Sequence, residues 1–107
     1  MNAKTEIADW NQHDIKTAVK MRASNYSLQN IGAKIHKTPY KIKQFLNQYI
    51  AQTFSGKARK WTEHEDKQLM LMKKKGLTYQ VIALRLKRTI NACESRCLMM
   101  KPIDEDE

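Results

Sequence analysis

The sequence predicts an all-α chain of two tandem three-helix units joined by a short basic linker. Three observations carry that prediction. Only 3 glycines and 2 prolines occur in 107 residues, while charged residues reach 29% and hydrophobic ones 41%, a balance that favours helices and disfavours most β sandwiches and barrels. Apolar residues recur at helical spacing in two separate stretches, as buried helix faces require. Those stretches also match each other: shifted by 51 positions, Trp10 to Asn47 aligns without gaps on Trp61 to Leu98. Trp10/Trp61, His13/His64, Lys16/Lys67, Met21/Met72, Gln29/Gln80, Ile31/Ile82 and Thr38/Thr89 are identical pairs, and their coincidence with helix boundaries marks an internal repeat.

Each boundary follows from capping chemistry, since a helix start needs acceptors for its unpaired N–H groups and gains from a carboxylate in its first turn. Thr62-Glu63-His64-Glu65 is a capping box, and Asn11-Gln12-His13-Asp14 is its counterpart with Asn11 as the cap. The second helices begin at Ser27 and Thr78, after breaks at Asn25-Tyr26 and Gly76-Leu77, and the third begin at Thr38 and Thr89. Pro39 falls at a first helical position, where its missing N–H costs nothing. The expected helices are about 13, 9 and 12 residues long in each repeat.

The second helices present Leu28, Ile31 and Ile35, or Tyr79, Ile82 and Leu86, along one face. The third present Ile42, Phe45, Leu46 and Tyr49, or Ala92, Cys93, Cys97 and Met100. Trp10 with Ala18 and Met21, and Trp61 with Leu69 and Met72, close each core from the first helix. Only His36-Lys37 and Lys87-Arg88 separate the second and third helices, so the chain must turn sharply there, as in a helix-turn-helix. The expected organisation is an N-terminal extension over 1–9, repeats over 10–54 and 61–101, a basic linker over 55–60 and an acidic tail over 102–107.

The net charge of +9 is unevenly placed: −1 over 1–9, +6 over 10–54, +3 over 55–60, +5 over 61–101 and −4 over 103–107. Such a body is attracted to polyanions. No apolar run is long enough to span a membrane, and charges interrupt the first ten residues where a signal peptide needs an apolar centre. A soluble intracellular protein is the expectation. Cys93 and Cys97, four apart on one helix, suit neither a loop-closing disulfide nor a metal knuckle and read as reduced packing residues. His13, His36 and His64 are scattered, and pairing His64 with both cysteines leaves a fourth zinc ligand unnamed. No metal, cofactor or catalysis is expected, for there is no carboxylate pair, Ser/His/Asp set or Gly-rich phosphate loop.

The second repeat resembles the Myb/SANT family of helix-turn-helix domains through Trp61-Thr62, Glu65-Asp66, Leu69, Ile82-Ala83, Leu86, Arg88-Thr89, Ala92 and Arg96. The first looks like a more divergent copy that keeps Trp10, Asp14, Ile31-Gly32, Ile35 and Thr38. In place of the family's second and third tryptophans stand Leu28 and Leu46, or Tyr79 and Cys97, which suggests a compact homeodomain-like variant. The resemblance implies that the third helix enters the DNA major groove, with Lys43, Gln44 and Asn47 at the base-reading positions. These types fit the role, because lysine donates to guanine and Gln or Asn pairs with adenine. Independently of the family, Tyr40, Lys41, Lys43, Gln44, Asn47 and Gln48 all fall off the apolar stripe of their helix.

The equivalent positions in the second repeat are Glu94, Ser95 and Leu98, which removes the lysine. Lys87, Arg88, Asn91, Ser95 and Arg96, with Arg85, are its candidate contacts. For Arg96 the alternative is a pair with Glu65 or Asp66 on the first helix. Lys37 and the linker cations Lys57, Arg59 and Lys60 complete the set, placed to track phosphates. Lys73-Lys74-Lys75 is assigned to the end of its helix, where cations relieve unpaired carbonyls.

The expected function is double-stranded DNA binding by a monomeric small transcriptional regulator or DNA-organising factor, with readout mainly by the first repeat. Contact with six to ten phosphates implies a loss of about three to five decades in affinity between 50 and 200 mM salt. Two alternatives remain: a SANT-like protein-interaction module that meets a transcription or DNA-processing protein, and the recognition subunit of a transposase or terminase type machine. The tail Asp104-Glu105-Asp106-Glu107 is a solubilising end or a competitor for the basic face.

Overall fold

The computed structural model describes residues 10–55 and 59–100, which form six helices and no strand. In chain order these are α1 (Gln12–Ala23), α2 (Leu28–Ile35), α3 (Pro39–Phe54), α4 (Glu63–Lys74), α5 (Tyr79–Leu86) and α6 (Ile90–Met100). Among the described residues no helix is long and apolar enough to cross a membrane.

The starts are set by the side chains the sequence offers. Asn11 accepts from the Asp14 N–H at 2.7 Å, Ser27 from Asn30 at 3.0 Å, and Thr78 from Val81 at 3.3 Å. Thr62 and Glu65 complete a reciprocal capping box. Thr38 and Thr89 accept from Lys41 and Ala92 at 3.2 and 3.1 Å, opening α3 and α6. Each cap contributes on the order of 1 kcal/mol. The turns are equally matched across the 51-residue shift. Asn25 and Gly76 both take positive φ (69° and 86°), as do His36 and Lys87 (60° and 58°). The left-handed caps at His36 and Lys87 let the following N–H groups, of Lys37 and Arg88, bond back to the carbonyls of Gly32 and Ala83. That geometry ends α2 and α5 and redirects the chain into the next helix.

α3 is longer than the expected 12 residues, running 16 residues to Phe54. No glycine or proline interrupts the sequence after Pro39 until Gly56, so nothing local stops the helix earlier. The chain divides into two compact units between Tyr49 and Ile50, inside α3.

In the first unit, α1 packs on α2, and Trp10, Ala18, Ile31, Ile35, Ile42, Phe45 and Leu46 form the buried core. Trp10 stacks on Phe45 with ring centroids 4.0 Å apart. A Cβ on Gly32 would run into the carbonyl oxygen of Lys37, so the close turn between α2 and α3 depends on glycine at that position. In the second unit α4, α5 and α6 pack on one another. Leu69, Met72, Leu77, Val81, Ile82, Ala83, Leu84, Cys93 and Cys97 are buried, each large aliphatic side chain contributing about 1.5–3 kcal/mol. Cys93 and Cys97 are free thiols, and burial pushes Cys93 up to about 11.

Candidate nucleic-acid interface

The polar face of α3 is built by the turn before it. Thr38 fixes the first turn, and the core stripe through Ile42, Phe45 and Leu46 fixes the helix's rotation. At 100° per residue, Tyr40, Gln44 and Asn47 lie along the line opposite that stripe, with Lys43 on one flank and Lys41 and Gln48 on the other. Tyr40 is 69% exposed, and Lys41, Lys43 and Gln44 are exposed as well. Asn47 and Gln48 are only half-exposed. Of these six side chains, the fully exposed ones thus fall in the first two turns of α3. Lys37 is half-buried, its ammonium 4.9 Å from the centre of the Trp10 ring.

The second unit distributes its cations differently. Lys87, Asn91 and Ser95 are exposed. Arg88 is not: it is 6% exposed and lies with its guanidinium 4.2 Å above the Trp61 ring. Its Nε and Nη2 donate to the two carboxylate oxygens of Glu65 at 2.9 and 2.8 Å. Nη1 and Nη2 also donate to the backbone carbonyls of Arg59 and Lys60 at 3.1 and 2.9 Å. Four of the five N–H groups of an arginine are thus used inside the protein, and the expectation of a DNA contact at Arg88 is withdrawn.

Arg96 pairs with an acid of the first helix of its unit, Asp66 on α4. Its Nε and Nη2 form a fork to both oxygens of Asp66 at 2.9 Å, and the guanidinium lies 5.7 Å from the Trp61 ring centre. These bonds hold the Asp66 carboxyl below its ordinary range and raise Arg96. Glu65, bonded by Arg88, by the Thr62 backbone and by Arg59, is lowered to about 2. Its charge is therefore firmly fixed at neutral pH.

The linker positions are also drawn in. Arg59 donates from Nη2 to Glu65 and to the Leu86 carbonyl at the end of α5, at 3.2 and 3.1 Å. Arg59 and Lys60 nonetheless remain exposed. Lys57 and the acidic tail lie outside the described residues. The sequence contained one unused signal for this clamp: Glu65 sits at the capping-box position, where a carboxylate already turned inward can meet the cation that follows α5.

Among the described residues no group of three His, Cys, Asp or Glu side chains could hold a metal ion. No family model, curated protein or solved structure matches this chain.

Proposed function

We propose that the chain binds double-stranded DNA through tandem helix-turn-helix repeats of Myb/SANT-like type, with the first repeat reading bases. The observation that carries this reading is the exposed cluster Tyr40, Lys41, Lys43 and Gln44 on the first two turns of α3, directly after a tight interhelical turn. The cluster combines two cations, a bidentate amide and an aromatic ring on one helix, the chemistry major-groove readout uses. Lys37, Lys60 and Lys87 add positive charge outside that cluster for phosphates.

With Arg88 buried and Arg96 paired to Asp66, the phosphate count falls by two, to about four to eight. Affinity should then drop by about two to four decades between 50 and 200 mM salt. A titration of labelled duplexes, enriched from a random library, measures this; a flat salt dependence contradicts DNA binding. Lys43→Ala should weaken the enriched duplex more than an unrelated one, whereas Lys60→Ala should weaken both alike.

A second reading, protein interaction by the second repeat, is favoured by α6. Where the first repeat has Lys43 and Asn47, α6 exposes Glu94 and Leu98, and Met99 beside them is 69% exposed. A carboxylate repels phosphates, and exposed apolar side chains suit a protein surface.

A further inference from the structure

One side of the second unit carries a groove of about 720 Å³ whose walls come from α4, the start of α5 and α6. Its apolar surface is supplied by Met70, Leu71, Tyr79 and Leu98. Lys67, Lys73 and Lys74 stand along it, and Asp66, the one carboxylate lining it among the described residues, is held by Arg96. Lys73 is fixed in place, its ammonium 4.1 Å over the Tyr79 ring and bonded to the Leu77 carbonyl at 3.4 Å. The DNA reading uses none of these lysines.

We propose that this groove docks an acidic amphipathic helix of a partner protein. The size lies within the ~300–1,000 Å³ of ordinary ligand sites, but the surface is not enclosed: Leu71 is 46% and Leu98 58% exposed. A small apolar molecule would leave that surface wet, whereas a helix laid along the groove covers it with side chains at i, i+3, i+4 and i+7. Charge selects the sign of the partner. Three lysines beside an apolar strip attract carboxylates flanking the partner's apolar stripe and repel a second copy of the same basic surface. The 51-residue shift marks the apolar strip as particular to this unit, since Leu98 stands where the first unit has Asn47.

The test uses the full chain without nucleic acid and a labelled synthetic helix of about 18 residues, long enough to hold its fold on binding. The probe carries Leu and Phe at i, i+3, i+4 and i+7 and Glu or Asp elsewhere. Fluorescence anisotropy should show saturable binding in the micromolar range. Leu71→Glu and Leu98→Glu, both at exposed positions, should each weaken it about tenfold or more, as for groove anchors, and Lys67→Glu should weaken it several-fold. A probe with Lys in place of every acid should not bind. Absence of binding up to about 1 mM, equal binding of the charge-inverted probe, or indifference to both leucine variants would overturn the proposal. So would binding only after residues 103–107 are deleted, which assigns the groove to the chain's own tail. Concentration-dependent dimerisation abolished by Leu98→Glu would likewise reassign it to a second copy. Because DNA takes no part, failure here leaves the DNA reading untouched, and failure of DNA binding leaves this result intact.

Discussion

The two units place a tryptophan at the same register and surround it in opposite ways. In the first, Trp10 stacks on Phe45 and meets the ammonium of Lys37. In the second, the residues at those two shifted positions are Arg96 and Arg88, both over or beside Trp61 and both bonded to acids of α4. Among the described residues, one unit closes its tryptophan with an aromatic ring and a lysine, the other with a network of guanidinium groups and carboxylates. The difference decides which cations are left for a ligand. Phe45 keeps the core of α3 apolar while its lysines face outward, whereas Arg88 and Arg96 turn the charge of the second unit inward. Similar net charges, +6 over 10–54 and +5 over 61–101, therefore do not leave similarly placed cations in the two units.

The strongest way to break this contrast is to remove one acid. Glu65→Gln strands Arg88, a buried charge, and should cost the second unit about 3–5 kcal/mol. Asp14→Asn, at the shifted position in the first unit, should cost about 0.5 kcal/mol through the helix dipole. Denaturant unfolding followed by Trp61 fluorescence in a Trp10→Phe background measures the former; equal effects at both sites would erase the distinction.

Acid should reproduce the larger effect reversibly. Glu65 titrates at about 2 in the folded chain against about 4.3 unfolded, so its stabilisation is complete above the unfolded value. It is lost as pH falls from there toward about 2, because the unfolded state then binds protons more readily. The Trp61 signal should accordingly report destabilisation that grows over that window, with little change between pH 6 and 8. Insensitivity down to pH 2.5 would contradict the network's role.

The interhelical turns provide smaller perturbations that sharpen the same comparison. Gly32→Ala forces a methyl into the Lys37 carbonyl and should destabilise the first unit by about 1–3 kcal/mol. The second unit already accommodates Ala83 at that register, and Ala83→Gly should cost only about 1 kcal/mol. The mildest expected change is a gain. His36→Gly and Lys87→Gly relieve the left-handed backbone at each cap and should each stabilise their unit by about 0.5–1 kcal/mol. Thermal unfolding of the single variants measures both signs.

What was legible in the sequence is what local chemistry controls. Asn11, Ser27, Thr38, Thr62, Thr78 and Thr89 each offer an acceptor beside N–H groups that lack one, and the helices start there. The breaks at Asn25 and Gly76 were equally visible, because both residue types tolerate positive φ. What escaped was set by long-range packing. Arg88 looks like a surface cation in its own segment, and the approach of residues 59–65, more than 20 positions earlier, makes it a buried clamp. Helical periodicity likewise places Asn47 and Gln48 on the polar face of α3 without giving their half-burial. The groove escaped because its walls come from helices far apart in sequence, with Leu71 and Leu98 each unremarkable alone.

The most direct test of the central claim exchanges the two faces. Lys43→Glu with Gln44→Ser gives α3 the residues of α6, and Glu94→Lys with Ser95→Gln does the reverse. Dissociation constants are measured at one salt concentration for a library-enriched duplex and an unrelated duplex. The first exchange should abolish the preference for the enriched duplex, and the second should preserve it while tightening binding to both. Survival of the preference after the α3 exchange, with its loss after the α6 exchange, would place recognition in the second unit and contradict the account.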